Sequence, residues 1–281
     1  MTPLPPIRRP ADEADLERRF GGLRRLYGNT GYQRLRSMRV AVVGLGGVGS
    51  WAVEALARSG VARLVLIDLD QVSESNINRQ IQALGRTLGQ SKAHALAERV
   101  ADIHPDCEVH GVEEFVDADN WPALLPVEVD AVIDACDQSR AKLTLAAWAL
   151  RSGAPFVTCG AAGGKRLPQR TEVDDLAAAT HDPLLAALRQ RLRRDHGAAR
   201  AGRIGVQCVF SRESVGLPDA ACAPGDGPKE SPTESPPASP QAVATDGSLN
   251  CHGYGSSVTV TASFGLAAAG VVIESWLLRR S

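Results

Sequence analysis

The chain has 281 residues, 44% of them hydrophobic and 22% charged, enough to bury a sizeable core in one large or two small domains. Ordinary apolar content at a formal net charge of -1 excludes global disorder. With 31 Lys and Arg cancelled by 32 Asp and Glu, a polybasic nucleic-acid binder is excluded too, so any RNA contact must come from a local patch.

Residues 1–10 hold four prolines and no apolar stretch of signal-peptide length, so residues 1–18 read as a flexible tail and the address as cytoplasmic. Short apolar runs then alternate with helical patterns. Residues 40–43 predict a buried strand and 48–58 a helix closed by Gly60; 64–67 predict a second strand and 91–103 a helix halted before Pro105. A third strand at 109–112 precedes a short helix near 120–125, a fourth at 129–133 precedes a helix at 139–151, and 155–159 is a fifth. This rhythm predicts parallel βαβ units: an α/β, doubly wound, Rossmann-like, mostly parallel sheet with additional C-terminal strands and helix. Those additions begin with a strand at 170–173, a helix at 183–195 and a strand at 204–210. Residues 218–240 carry seven of the 17 prolines and almost no large apolar side chains, which predicts a mobile Pro-rich loop over 218–248 inserted into a single unit, 19–281. From 258 to 273 the chain is uncharged. Thr259, Thr261 and Ser263 inside this run, and Glu274 behind it, favour a buried strand and helix over stable membrane insertion, leaving at most peripheral membrane association.

Gly44-Leu45-Gly46-Gly47-Val48-Gly49 follows a predicted strand and opens a predicted helix. Gly44 permits the tight turn, Gly46 and Gly47 let backbone N–H groups approach phosphate oxygens, and Gly49 lets the helix pack close to the sheet. The positive end of the helix dipole favours the anion, which makes this a nucleotide site for NAD or ATP alike. Asp68 lies 19 residues after Gly49, at the end of the second predicted strand, where a carboxylate accepts hydrogen bonds from ribose hydroxyls. A dehydrogenase explains that much. It does not explain Asp70, Asn76, Arg79, Gln80 and Lys92, which set two cations and several amides just beyond the ribose acid. A triphosphate does, because arginine offers a planar fork and lysine a point charge to non-bridging oxygens. Asp137 ends the run Asp134-Ala135-Cys136-Asp137 at the carboxyl edge of the fourth strand. It suits Mg2+ held against phosphates; alternatively it caps the helix beginning at Ser139.

The run from Val40 to Gln80, with Lys92 and Asp137, resembles the ubiquitin-activating-enzyme-like superfamily, whose members adenylate a carboxylate with ATP and Mg2+. The resemblance implies a ThiF-like ATP-binding adenylation domain in which Gly47 and Asp68 contact the nucleoside, Asn76, Arg79 and Lys92 the phosphates, and Asp137 the metal. Sulfur-carrier activators of this superfamily keep two Cys-x-x-Cys pairs for structural zinc. The six cysteines here, Cys107, Cys136, Cys159, Cys208, Cys222 and Cys251, form none. Arg19-Phe20-Gly21-Gly22, Arg25-Leu26-Tyr27-Gly28, the Thr-Cys-Gly-Ala-Ala-Gly-Gly run at 158–164, Asp182-Pro183-Leu184 and Val206-Gln207-Cys208-Val209-Phe210-Ser211 are instead similar to the tRNA threonylcarbamoyladenosine dehydratase branch.

That similarity implies ATP-dependent cyclising dehydration of threonylcarbamoyladenosine in tRNA, through adenylation of the threonine carboxylate. The implied catalytic set is Arg79, Lys92, Asp137 and an arginine supplied by the partner subunit of a homodimer. In sulfur-carrier activators that arginine sits three places after an Arg-aromatic pair. Here the place is Gly22, and Arg25, with Arg24 in reserve, is its replacement. Ring closure needs no thioester, so Cys159 and Cys208 read as packing residues. Arg189, Arg191, Arg193 and Arg194, continued by His196, Arg200 and Arg203 and extended by Lys165, Arg166 and Arg170, form a candidate track for a tRNA backbone; a solvated charged face explains the same charges. Besides tRNA and a second copy of the chain, cysteine-desulfurase sulfur-relay proteins are candidate partners. The competing readings are a sulfur-carrier adenylyltransferase, an NAD-dependent dehydrogenase and a non-catalytic sulfur-relay scaffold.

Overall fold

The computed structural model describes residues 14–216 and 254–279. The expected Pro-rich loop, Cys222, Cys251 and most of the expected N-terminal tail lie outside these residues. The end of that tail is helical: α1 (Leu16–Phe20) starts inside it, its N-cap Asp15 accepting the Arg18 N–H, and α2 (Gly22–Ser37) follows.

Seven strands form one sheet: β1 (Arg39–Val43), β2 (Arg63–Ile67), β3 (Glu108–Val112), β4 (Ala131–Asp134), β5 (Phe156–Cys159), β6 (Thr171–Asp175) and β7 (Gln207–Ser211), in the order β3-β2-β1-β4-β5-β7-β6. All neighbours are parallel except β6, which runs antiparallel to β7 at the edge. The intervening helices are α3 (Gly49–Arg58), α4 (Lys92–Ile103), α5 (Ser139–Ser152) and α6 (Pro183–Asp195), and α7 (Val258–Leu278) ends the described chain. The strands read as continuous apolar runs because both faces are covered. Along β1, Val40 and Val42 join the layer containing α3, α4 and α7, whereas Ala41 and Val43 join the layer containing α5 and α6. The chain order reverses between β1 and β4, which opens a crevice at the carboxyl ends of the strands.

Several predicted elements differ, among them the strand expected at 204–210, which starts only at Gln207. Near 120–125 hydrogen-bonded turns replace the helix. The Asn120 side chain accepts from the Asp117 N–H, and the Asp117 carboxylate accepts from the N–H groups of Asp119 and Asn120 as an N-cap would, but Pro122 has no N–H to carry a helix on and the turns end by Leu125. The fourth strand starts at Ala131, two residues later than expected, and Asp130 before it is tied to Arg39, its N–H donating to the Arg39 carbonyl and its carboxylate accepting from the backbone N–H and guanidinium of Arg39. Residues 258–278 form a single helix, with no strand in the span where one was expected. By length and composition α7 is apolar enough to cross a membrane. In this fold it is a core helix, contributing Val260, Phe264, Ala268, Ala269 and Val272 to the interior beside α3 and the sheet.

Candidate functional site

A cavity of about 540 Å³ opens at the β1/β4 reversal. Its floor is the glycine turn. Gly44 sits at φ 84°, and a Cβ there would lie 2.7 Å from the Cys136 backbone, so β1 and β4 can diverge around the turn only because the side chain is missing. Gly49 starts α3 against the turn's own backbone: a Cβ would lie 1.8 Å from the Gly44 carbonyl oxygen and 3.2 Å from Ala135 Cβ. The close approach is therefore to the turn and the end of β4, and not simply of helix to sheet.

Asp68, Asp70, Asn76, Arg79, Gln80 and Lys92 line one side of the cavity with Gly44, Gly46 and Gly47. Asp68 Oδ2 accepts the Leu45 N–H at 2.6 Å and Oδ1 the Asp70 N–H at 2.8 Å, so the carboxylate braces the glycine turn. Burial raises its pKa against the opposing pull of Lys92. Lys92 is buried and no solvated helix position: Nζ lies 2.6 Å from Asp70 Oδ2 and 3.8 Å from Asp68 Oδ1. Asn76 Oδ1 accepts the Ser73 N–H, holding a 3-10 turn, and Arg79 Nη1 donates to the Ser75 carbonyl at 2.6 Å and to Asn78 Oδ1 at 2.9 Å. Those partners are neutral, so the guanidinium carries its charge to the cavity without a carboxylate counterion among the described residues. Gln80 is buried and accepts from Gln82 Nε2, which also donates to the Leu45 carbonyl.

Across the cavity, Asp137 is exposed and makes no hydrogen bond or ion pair with the described residues; the N-cap of α5 is Gln138, so Asp137 is not the cap. Among the described residues no cluster of three or more His, Cys, Asp or Glu side chains is arranged to hold a metal alone. A free carboxylate beside a phosphate-sized cavity fits Mg2+, which takes one or two carboxylates and completes its shell with water and phosphate oxygens.

Sequence reasoning missed the supports. Asp134 and Lys142 are fully buried and 2.9 Å apart, and Thr158 Oγ1 donates to Asp134 Oδ2 at 2.6 Å, tying β4, α5 and β5 together beneath the site. Thr261 of α7 and Phe115 after β3 also line the cavity. The Cys136 Sγ–H donates to Asp134 Oδ1, and burial with the Asp134 carboxylate pushes that thiol up; burial takes Cys159 up to about 12. Cys208 is likewise raised by burial. These thiols resist ionisation, which suits packing and not nucleophilic catalysis.

Arg25 is exposed on α2 and does not line this cavity, while Arg24 is held by Glu17 at 2.8 Å and stacks on Tyr32. The Arg-aromatic pair fastens the N-terminal helices to the end of α4. Arg19 Nη1 donates to the Asp102 and Ile103 carbonyls there, and Phe20 is buried against His104. A second cavity of about 570 Å³ lies beside this contact and holds none of the expected nucleotide residues.

The basic track is altered. Lys165 is buried, Nζ donating to the carbonyls of His181, Ser211 and Glu213, so it offers no surface charge. Arg189 donates to the Leu176 and Ala179 carbonyls, Arg193 to the Ala199 carbonyl and Arg191 at 3.5 Å to the Ser139 carbonyl, while Arg194 pairs with Asp195. The guanidiniums of α6 are largely spent on binding backbone. Arg166, Arg170, Arg200 and Arg203 remain exposed around it.

Residues 19–223 match the model of the ThiF family. The chain is 40% identical over 270 residues to tRNA threonylcarbamoyladenosine dehydratase of Escherichia coli (strain K12), covering 93% of this chain and 94% of that one. It is 36% identical over 268 residues to the Haemophilus influenzae protein of the same name, with 94% and 95% covered. The crystal structure of the Escherichia coli enzyme in complex with ATP superposes with a TM-score of 0.78 at 39% identity, over 94% of this chain and 96% of that one, and a complex of that enzyme with AMP gives the same score. The chain therefore belongs to the ThiF family and, within it, to the tRNA threonylcarbamoyladenosine dehydratases.

Proposed function

We propose that the chain converts threonylcarbamoyladenosine in tRNA to its cyclic oxazolone form, consuming ATP, through adenylation of the threonine carboxylate. The observation that carries this reading is the convergence on one cavity of the glycine turn, the Asp68 carboxylate and the Arg79 and Lys92 cations. It is supported by the full-length similarity to dehydratases of that name and by the ATP and AMP complexes of one of them.

A carboxylate is a poor electrophile, because its leaving group would be oxide. Attack of the threonine carboxylate oxygen on the α-phosphate forms a mixed anhydride and expels pyrophosphate. Both reactants are anionic, so the step needs fixed positive charge. In this reading the N–H groups around Gly44, Gly46, Gly47 and the start of α3 at Gly49 receive phosphate oxygens, Asp68 holds the ribose, and Asn76, Arg79, Gln80 and Lys92 face the polyphosphate. Lys92 is engaged with Asp70, whose side chain is 61% exposed. Asp70 is thus free to swing into water as phosphate oxygens take over the ammonium. Asp137 would hold Mg2+, which when bound neutralises phosphate charge. The ureido carbonyl oxygen, tethered in the same side chain, then attacks the acyl carbon; a C–O bond forms, AMP leaves with the electron pair of the broken acyl–oxygen bond, and a ureido nitrogen loses its proton. Tethering supplies effective molarities on the order of 10⁵ M or more, so no enzyme nucleophile is needed.

The same reading makes the enzyme a cytoplasmic homodimer in which Arg25 of one protomer completes its partner's site. The exposed Arg166, Arg170, Arg200 and Arg203, with the end of α6, meet the tRNA backbone. Mass spectrometry of nucleosides from modified tRNA incubated with the protein and ATP tests the activity. Threonylcarbamoyladenosine should lose the mass of one water only when ATP is present, and an unchanged nucleoside refutes the reading.

A further inference from the structure

The loop after β5 walls the cavity with Gly160, Ala161, Ala162 and Gly163, and it is clamped at both ends. At its entry, Asp182 is 4% exposed; Oδ2 accepts the Ala161 N–H at 2.8 Å while Oδ1 accepts the Leu185 N–H and so caps α6. Gly160 makes that contact possible, since a Cβ there would lie 2.1 Å from Asp182 Oδ2. At its exit, the buried Lys165 ammonium gathers the carbonyls of His181, Ser211 and Glu213, and the Gly164 N–H donates to the Gly255 carbonyl.

Between the clamps the acceptors from the described residues run out. The Gly160 N–H is taken by the Val209 carbonyl and the Ala161 N–H by Asp182, but those of Ala162 and Gly163 have no partner among the described residues. Ala162 is only 7% exposed. Ala162 is buried and Gly163 half-buried on the cavity wall, and backbone N–H groups in such positions need an acceptor, which a group bound in the cavity can supply. The phosphate side of the cavity is provided for by the glycine turn and the cations. This wall stands beyond Asp137, at the carboxyl end of β5.

We propose that the Ala162 and Gly163 N–H groups form the oxyanion site for ring closure, with Asp182 and Lys165 as positioning residues that hold the loop. The inference rests on the adenylation reading above. In the closing step the acyl carbonyl oxygen gains the electron pair when the ureido oxygen bonds to the acyl carbon, and it returns that pair as the acyl–O–AMP bond breaks. Donors fixed beforehand stabilise that transient charge without reorganising, which water in an open cavity cannot do.

Ala162→Pro removes one donor outright, and Asp182→Asn replaces an acceptor of two N–H bonds by a group with one acceptor oxygen. In each variant, pyrophosphate release on modified tRNA and formation of the cyclised nucleoside are measured in the same single-turnover reaction. Pyrophosphate release should stay near wild type while closure slows about 10²-fold, with AMP and uncyclised nucleoside accumulating as water intercepts the anhydride. If Ala162→Pro does not fold, Asp182→Asn carries the same comparison. Closure that keeps pace with the wild type, or that falls only in parallel with pyrophosphate release, overturns the assignment. Wild-type protein that releases no pyrophosphate on this substrate refutes the adenylation reading itself, a distinct result.

Discussion

Arg79 and Lys92 reach the same cavity in different electrostatic settings, and the difference separates their variants. Arg79 is half-buried and bonded to neutral oxygens, so Arg79→Ala should lower kcat/KM by about 10²–10³-fold, the cost of one fixed donor to transition-state charge, with little change in melting temperature. Lys92→Ala removes the counterion of Asp68 and Asp70 and should lower both activity and melting temperature. Asp137 makes no hydrogen bond or ion pair with a described residue, so Asp137→Asn should leave the melting curve in place while activity falls and the Mg2+ concentration needed for half-maximal rate rises. An unchanged Mg2+ dependence would remove Asp137 from metal binding. These residues were legible because a glycine turn, an acid at a strand end and two later cations are patterns of short-range chemistry. Lys142 and Lys165 were not, because a lysine in sequence reads as solvated; their burial depends on Asp134 and on three carbonyls brought in by other elements.

At the scale of elements, the strands and most helices were readable from apolar runs and caps, down to the bounds of α6, where Asp182 caps and Pro183 opens the helix. The last helix was not. Its apolar residues surround the axis, so periodicity gave no face, and the expected strand at its start is absent. What fixes α7 is its crossing with α3, where Gly265 lets the backbones meet: a Cβ would lie 2.3 Å from the Val48 carbonyl oxygen and 2.8 Å from Trp51 Cβ. Backbone cannot step aside cheaply, so Gly265→Ala should destabilise by about 1–3 kcal/mol and lower activity through the glycine turn that Val48 closes; thermal melting and kcat/KM measure the two. The packing of Phe20 against α4's end predicts an acid sensitivity. Burial, then the Arg36 guanidinium, depress His104 to about 4. The unfolded chain gains a proton near pH 6.5 that the folded one refuses, so stability should fall as pH drops from about 6.5 toward 4. Asp175 extends the loss below that range. Burial alone would raise it, but the N–H groups of Ile204, Ala177 and Gly205 and the nearby Arg203 hold it low, and this stability disappears as the carboxylate protonates. His104→Gln, which keeps an acceptor for Arg36, should flatten the upper part of the melting-temperature profile between pH 7 and 5; a profile as steep as wild type would place the acid sensitivity elsewhere.

At the scale of the whole molecule, the proposed homodimer makes Arg25 of one protomer part of its partner's site. Within one chain Arg24 is paired with Glu17 and Arg25 lies away from the cavity, so neither serves its own site in this arrangement. Cyclic dimers use the same surface twice, and a residue projecting from one protomer toward its partner is repeated in the opposite direction. Mixing two impaired variants tests this. Arg25→Ala and Arg79→Ala proteins, each strongly impaired alone, are unfolded and refolded together so that subunits exchange. If Arg25 acts in the partner's site, a mixed dimer has one site lacking both arginines and one lacking neither. Half of the dimers are mixed at equal amounts and each has one intact site of two, so about a quarter of wild-type activity should return, with the KM for ATP unchanged. If Arg25 acts in its own site, every site in the mixture lacks one arginine and no activity returns. Recovery therefore separates an arginine donated across the dimer from one that folds back, without requiring that the interface be seen.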